Sequence, residues 1–212
     1  MCSCDIRISA GCRGPRCIFK IGGAPRRFDL DDILGRISKN LVGSEPTPKG
    51  LRFAAVSIII SGRERPSVLL IKRAERAGDP WSGQIAFPGG KMQPEDGTAR
   101  VTAARETLEE VGVDLGKSAE FLGYGQLTTT HTGTMDVVPS VFLLKEKVDV
   151  TPNEEVASYR WADLKDMLAP KSSSSYALDN GGKPVRLPAF LVGDYVVWGL
   201  THRIITKVVG EA

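Results

Sequence analysis

Glu106, Glu109 and Glu110 lie within five consecutive residues of the segment 98–112, TARVTAARETLEEVG. At about 100° per residue, a helix gathers them into an arc of roughly 100° on one side. Glu106 and Glu110 are four residues apart and Glu106 and Glu109 three, so three carboxylates crowd one patch. Like charges at these spacings cost a helix a few tenths of a kcal/mol per pair. A divalent cation would remove that repulsion, and hard oxygen ligands with retained waters suit Mg²⁺ or Mn²⁺. Arg105 stands four residues before Glu109 and can brace it. The plain alternative is a solvated acidic face.

What precedes the helix favours chemistry. FPGGKMQPEDG (87–97) is a tight Gly/Pro-rich loop between a strand and this helix. Gly89 and Gly90 allow close approach of a ligand to the backbone and set the helix angle. Asp96, at the end of the loop, can join the metal-binding carboxylates or cap the helix. On the other side Val101, Ala104, Leu108 and Val111 form a stripe expected to face the core. Gly112 suits the helix C-cap.

Taken together, GGKMQPEDGTARVTAARETLEEVGV resembles the Nudix box, G-x5-E-x7-R-E-U-x-E-E-x-G-U with U apolar. Arg105, Glu106, Glu109, Glu110, Gly112 and Val113 match it. Thr107 departs from it at an apolar position. Beyond Gly90 and five intervening residues stands Asp96 rather than Glu, and eight residues rather than seven separate it from Arg105. That variation is similar to the coenzyme A pyrophosphatase branch. LLIKRA (69–74), GQIAFPGGK (83–91) and YVVWGLTHRII (195–205) also resemble signatures of that branch, and the likeness spans residues 29–209. One stretch departs: the branch usually carries an Arg and a His before the Gly-Gln dipeptide, and GDPWSGQ (78–84) has neither.

The resemblance implies a Nudix fold, an α/β/α sandwich with a mixed β-sheet, and hydrolysis of a diphosphate linking a nucleoside to another group. Mg²⁺ or Mn²⁺ on Glu106, Glu109, Glu110 and Asp96 would grip the diphosphate and activate water. Glu109, or an acid borrowed from a distant loop such as Glu155, would take the proton, with Arg105 beside it. Lys72 and Arg73 could neutralise phosphates. Trp81 and Phe87 could stack on a base, and His131 could contact substrate. Packing or surface roles are open for each of these. The implied substrate is coenzyme A or an acyl ester, cleaved to a phosphopantetheine product and 3′,5′-ADP. ADP-ribose or another nucleoside diphosphate derivative is the alternative, and a non-catalytic Nudix-fold binding module the second.

These residues need a scaffold. Phe28–Leu41 has Leu30, Ile33, Leu34, Ile37 and Leu41 at helical spacing behind an acidic start, which predicts an amphipathic helix over 28–42. GSEPTPKG (43–50) reads as a linker. Strand-like runs follow at 53–60, 67–72, 84–87, 120–127, 137–144, 157–161 and 195–198, the first two as a hairpin. Helices are expected at 98–111, near 163–168 and at 201–209, and KSSSSY (171–176) reads as a loop. Strands outnumber helices in mixed order, which points to an α/β (α+β) sandwich with a mixed sheet over residues 51–212 rather than a doubly wound parallel sheet.

The composition fits an ordinary domain. The chain has 212 residues, 42% hydrophobic and 25% charged, and no apolar run of about 18 residues that would span a membrane. Its net charge is +3, but residues 1–27 hold six cationic side chains against Asp5 alone. The remaining 22 cations face 24 anions, so the body is mildly acidic and no nucleic-acid footprint is expected there. All four cysteines, Cys2, Cys4, Cys12 and Cys17, fall in the same 27 residues. Their spacing lacks the C-x2-C pair of a zinc knot, and a disordered extension before a catalytic domain over 28–212 is expected. No export signal is apparent, so a cytoplasmic protein acting on a small molecule is expected, with a homodimer left open.

Overall fold

The computed structural model describes residues 28–47, 52–79, 81–180 and 183–210. The basic, cysteine-containing stretch 1–27, expected as an extension, and residues 48–51, which include the end of the expected linker, lie outside the described residues.

The fold starts with α1 (Leu30–Asn40), where Asp29 accepts the Asp32 N–H as N-cap. The main sheet has eight strands, of which the first five are β1 (Phe53–Ser61), β2 (Ser67–Arg73), β3 (Ile85–Ala86), β4 (Gly89–Lys91) and, after the helices α2 (Ala99–Val111) and α3 (Leu115–Ser118), β5 (Ala119–Tyr124). Then come β6 (Thr128–Thr129), β7 (Asp136–Leu144), β8 (Val156–Asp163) and α4 (Leu164–Leu168). A three-stranded sheet of β9 (Ser173–Asn180), β10 (Lys183–Val192) and β11 (Tyr195–Trp198) follows, and α5 (Gly199–Val209) closes the described chain.

The main sheet runs β3-β2-β1-β7-β5, with β4 on β1, β6 on β7 and β8 on β2. β1 and β7 are parallel and the other pairs antiparallel, so the sheet is mixed. FAAVSIII is central and buried on both faces, as its unbroken apolar run requires. On one face Ile58, Ile60, Leu70 and Val141 pack with Ile33 and Ile37 of α1 and Ile204 and Val208 of α5. On the other, Ala55, Ile59, Leu69 and Phe142 pack with Ala99, Ala103 and Val111 of α2. Helices on both faces make the expected sandwich. Among the described residues, no helix is long and apolar enough to cross a membrane.

The hairpin of β1 and β2 is paired only at Ile60–Val68 and Ser61–Ser67. Beyond that the strands splay: β4 takes over pairing with β1, and β3 and β8 with β2. The splay opens a cleft in the sheet, bounded by GQIAFPGGK.

Three expectations are corrected. KSSSSY is no loop: Ser173 opens β9, which pairs with β10 from Ser173–Phe190 to Asn180–Lys183. Four serines carry no alternating pattern, and the strand forms because β10 supplies its partner. The loop 87–97 contains β4, because Gly89 approaches Ala55 and Val56 of β1 more closely than a side chain would allow. The stripe Val101–Ala104–Leu108–Val111 is only half right: Val111 is buried and Ala104 packs on the core, but Val101 is 47% and Leu108 49% exposed, and Thr102, Ala103, Thr107 and Glu110 face inward instead.

Candidate active site

Helix α2 sets the geometry. Thr98 caps it by accepting the Val101 N–H, and Gly112 ends it in a left-handed conformation at φ 70°. A second acceptor comes from the segment read as a linker: Glu45 Oε1 takes the Ala99 N–H at 2.6 Å, while Glu45 Oε2 accepts from the Tyr124 hydroxyl at 3.1 Å. The buried face rests on a polar contact. Ser57 donates to the Ala103 carbonyl at 2.9 Å, and the Thr107 hydroxyl lies 2.8 Å from the Ser57 hydroxyl and 2.7 Å from the same carbonyl. Thr107 therefore stands at an apolar position of the motif because a serine opposes it on β1.

The three glutamates fan out rather than share one exposure. Glu110 has 3% of its side chain exposed, Glu106 18% and Glu109 54%. Glu110 Oε2 accepts the Gly89 N–H at 2.9 Å. Burial pushes the Glu110 carboxyl up to about 7, with the charges of Glu106 and Glu155 adding to the rise and the Gly89 N–H and Arg73 opposing it. Glu106 lies against Gly90: a Cβ there would stand under 3.0 Å from its carboxylate. Burial raises Glu106 too, against the pull of Arg105.

Arg105 is the brace. Its Nε and Nη2 fork onto Asp96 at 2.9 and 3.0 Å, Nη1 reaches both oxygens of Glu109 at 3.1 and 3.3 Å, and Nη2 touches Glu106 at 2.9 Å and the Lys91 carbonyl at 3.1 Å. Asp96 also accepts from Thr102 and from the Gln93 N–H. Its oxygens are thus taken, and the guanidinium holds its carboxyl down at about 2.

Glu155 is brought in from afar. The Asn153 N–H donates to the Glu110 carbonyl and the Thr151 N–H to the Val111 carbonyl, both at 2.9 Å, tying the loop to the end of α2. Its charge is felt by both Glu106 and Glu110.

The cleft has a volume of about 210 Å³. Gly89, Gly90 and Arg73 stand at one side, and Trp81, Ile85, Phe87, Met135 and Leu200 make apolar walls. Trp81, Phe87, Gly89, Gly90 and Arg73 thus line one cleft. Lys72 does not join them; it lines a separate groove with Tyr176, Asp194 and Trp198. His131 sits on an exposed turn and does not line the cleft. Sequence reasoning missed Glu45 and Asp79. Asp79 accepts from Arg73 at 3.0 Å and from the Trp81 N–H at 3.0 Å; an acid followed by Pro and Trp in a Gly-bounded loop was the available signal.

The donor set fits a hard divalent cation. Two clustered carboxylates, Glu110 buried and Glu106 partly so, lie against glycine backbone that no Cβ crowds. Among the described residues no three acidic, His or Cys side chains already converge on one point. Mg²⁺ asks for less, since one or two carboxylates with waters and substrate phosphates complete its shell.

Residues 51–178 match the family model described as NUDIX domain. The chain is 32% identical over 184 residues to a protein of Photorhabdus laumondii named as the uncharacterized Nudix hydrolase NudL, covering 84% of this chain and 95% of that one. The protein of the same name in Yersinia enterocolitica is 34% identical over 157 residues, 73% and 78% of the two chains. A protein of Schizosaccharomyces pombe is 38% identical over 122 residues, 54% of this chain, and the match spans only 37% of its length. Among solved structures, a MutT/nudix family protein from Enterococcus faecalis superposes with a TM-score of 0.52 at 17% identity over 86% of this chain and 69% of its own, a likeness of fold.

Proposed function

The chain belongs to the NUDIX domain family and is a hydrolase of that family, and from this premise we propose that it cleaves the diphosphate linkage of coenzyme A or its acyl esters, giving a phosphopantetheine product and 3′,5′-ADP. The observation that carries the reaction is that Glu106 and Glu110 both lie against the Gly89–Gly90 backbone at the side of the cleft.

In this reading Glu106 and Glu110 hold Mg²⁺ or Mn²⁺. The bound cation supplies charge neutralisation on the diphosphate and lowers the pKa of an attacking water. The protein's own groups then position and move the proton. Gly89 and Gly90 let the diphosphate approach the backbone, and Arg73 neutralises phosphate charge from the same side. Arg105 fixes the angles of Glu106 and Glu109 through Asp96, which makes Asp96 an anchor rather than a ligand. Glu155 receives the proton from water, because both oxygens of Glu109 are held by Arg105.

Support for coenzyme A comes from the LLIKRA, GQIAFPGGK and WGLT likenesses and from the apolar walls, which suit a pantetheine arm. The loop 78–84 offers no cation to a 3′-phosphate, so preference for that group is weakened. One lost charged contact is worth about 1.5–3 kcal/mol. The test is kcat/KM for coenzyme A, dephospho-coenzyme A and ADP-ribose. Coenzyme A should lead, with dephospho-coenzyme A within about tenfold. ADP-ribose ahead by more than about tenfold, roughly 1.4 kcal/mol, overturns the substrate and leaves the reaction class.

A further inference from the structure

The loop that departs from the resembled pattern places an anion, Asp79, beside the cleft. Arg73 closes strand β2 with its guanidinium between two carboxylates. Its Nη2 donates to Asp79 Oδ2 at 3.0 Å, a full hydrogen bond. Its Nη1 stands 3.9 Å from Glu110 Oε1, too far for one. Its Nε is buried and has no hydrogen-bond partner among the described residues. The guanidinium therefore has donors to spare, with a carboxylate just beyond hydrogen-bond reach of one of them. The other oxygen of Asp79 accepts the Trp81 N–H at 3.0 Å, and Trp81 lines the cleft. The Arg73 N–H donates to the Gln84 carbonyl at 3.0 Å, and the next amide, that of Ala74, donates to the Glu155 backbone carbonyl at 2.8 Å. The end of β2 is thus bonded to the Asp79–Gln84 loop on one side and to the Glu155 loop on the other.

We propose that Asp79 is a positioning residue which holds the Arg73 guanidinium off Glu110, keeping that carboxylate available to a divalent cation, while pinning Trp81 at the cleft wall. Among the ion pairs of the described residues, Asp79 and Glu110 are the two carboxylates that stand beside Arg73, at 3.0 and 3.9 Å. Neutralising Asp79 leaves Glu110 as the acceptor. A shift of the guanidinium by about 1 Å would turn 3.9 Å into a charge-assisted hydrogen bond. Arg73 would then compete with the cation for Glu110. The inference rests on the reading of Glu110 as a cation ligand, and it goes beyond it by assigning a residue of the substrate-side loop to the cation site.

The experiment is Mn²⁺ titration of the full chain by calorimetry without substrate, on wild type, Asp79→Asn, Arg73→Gln, the double variant, Asp79→Glu and Glu110→Gln. Asparagine keeps an oxygen for the Trp81 N–H, so the loop turn is retained. Asp79→Asn should weaken Mn²⁺ binding by about tenfold, the worth of one charge-assisted contact. Arg73→Gln should bind as wild type or tighter. The double variant should match Arg73→Gln, since the competitor is gone, and Asp79→Glu should restore affinity. Equal weakening by Asp79→Asn with and without Arg73 would make Asp79 a merely structural residue and overturn the inference, as would no weakening at all. If Glu110→Gln binds Mn²⁺ as wild type does, the ligand reading of Glu110 fails first and takes the inference with it.

Discussion

Arg105 and Asp96 form a two-pronged pair, Nε to Oδ1 at 2.9 Å and Nη2 to Oδ2 at 3.0 Å, across nine residues of chain. The pair welds the end of the 87–97 loop to the middle of α2. The same guanidinium reaches Glu106 and Glu109. A residue before the helix therefore sets the angle of side chains on it.

Asp96→Asn should lower stability at pH 7 by about 2–3 kcal/mol, because it leaves a part-buried guanidinium short of its partner. The Asp96 carboxyl is held at about 2, below its usual 3.8, by the Arg105 hydrogen bonds. Its stabilisation is therefore present above pH 3.8 and lost as pH falls towards 2. Urea unfolding of both proteins at pH 7 and near pH 3 should show the gap narrowing at the acid end.

Glu110 carries the opposite sign. Burial raises it to about 7 from 4.5, so the folded state keeps a proton that the unfolded chain has released. Stability of the metal-free protein should be greatest below pH 4.5 as far as this group is concerned, and should fall as pH rises towards 7, by an amount on the order of 3 kcal/mol. Glu110→Gln should flatten that slope. Mg²⁺ should raise the melting temperature of wild type at pH 8 and do little at pH 5.

The Ser57–Thr107 contact predicts non-additivity. Thr107→Val or Ser57→Ala alone should each cost about 1–2 kcal/mol, since each leaves a buried polar group short of a partner. The double variant should cost less than the two together, as measured by a double-mutant cycle. Additive costs would show that the hydroxyls act separately.

Gly90→Ala should leave the far-ultraviolet spectrum unchanged and lower turnover roughly 10²-fold. Its methyl would stand under 3.0 Å from the Glu106 carboxylate and displace it. Turnover near wild type would remove Gly90 from the positioning of Glu106.

Much of this was legible in the sequence, because the informative features are local. The carboxylate spacing 106–109–110, the Gly112 cap and the apolar run 53–60 each follow from helix or strand period alone. The buried face of α2 is only partly legible because burial there does not follow apolarity. Thr102 and Thr107 are buried by hydrogen bonds to Asp96, Ser57 and Ala103, and those partners lie up to 50 residues away. The strand β9 was missed for a related reason: serines acquire strand structure from β10, not from their own pattern. Glu45 and Asp79 look like ordinary loop acids until the fold brings Ala99 and Arg73 to them.

The central claim is diphosphate hydrolysis centred on Glu106 and Glu110. The most direct test is product identification after incubating the protein with Mg²⁺ or Mn²⁺ and a panel of coenzyme A, dephospho-coenzyme A, ADP-ribose and dinucleoside polyphosphates. The account predicts cleavage within the diphosphate, with phosphopantetheine and 3′,5′-ADP from coenzyme A, and a loss of roughly 10²–10⁴ in rate for Glu110→Gln. No turnover of any member with either metal, or a Glu110→Gln rate equal to wild type at saturating substrate, would contradict it.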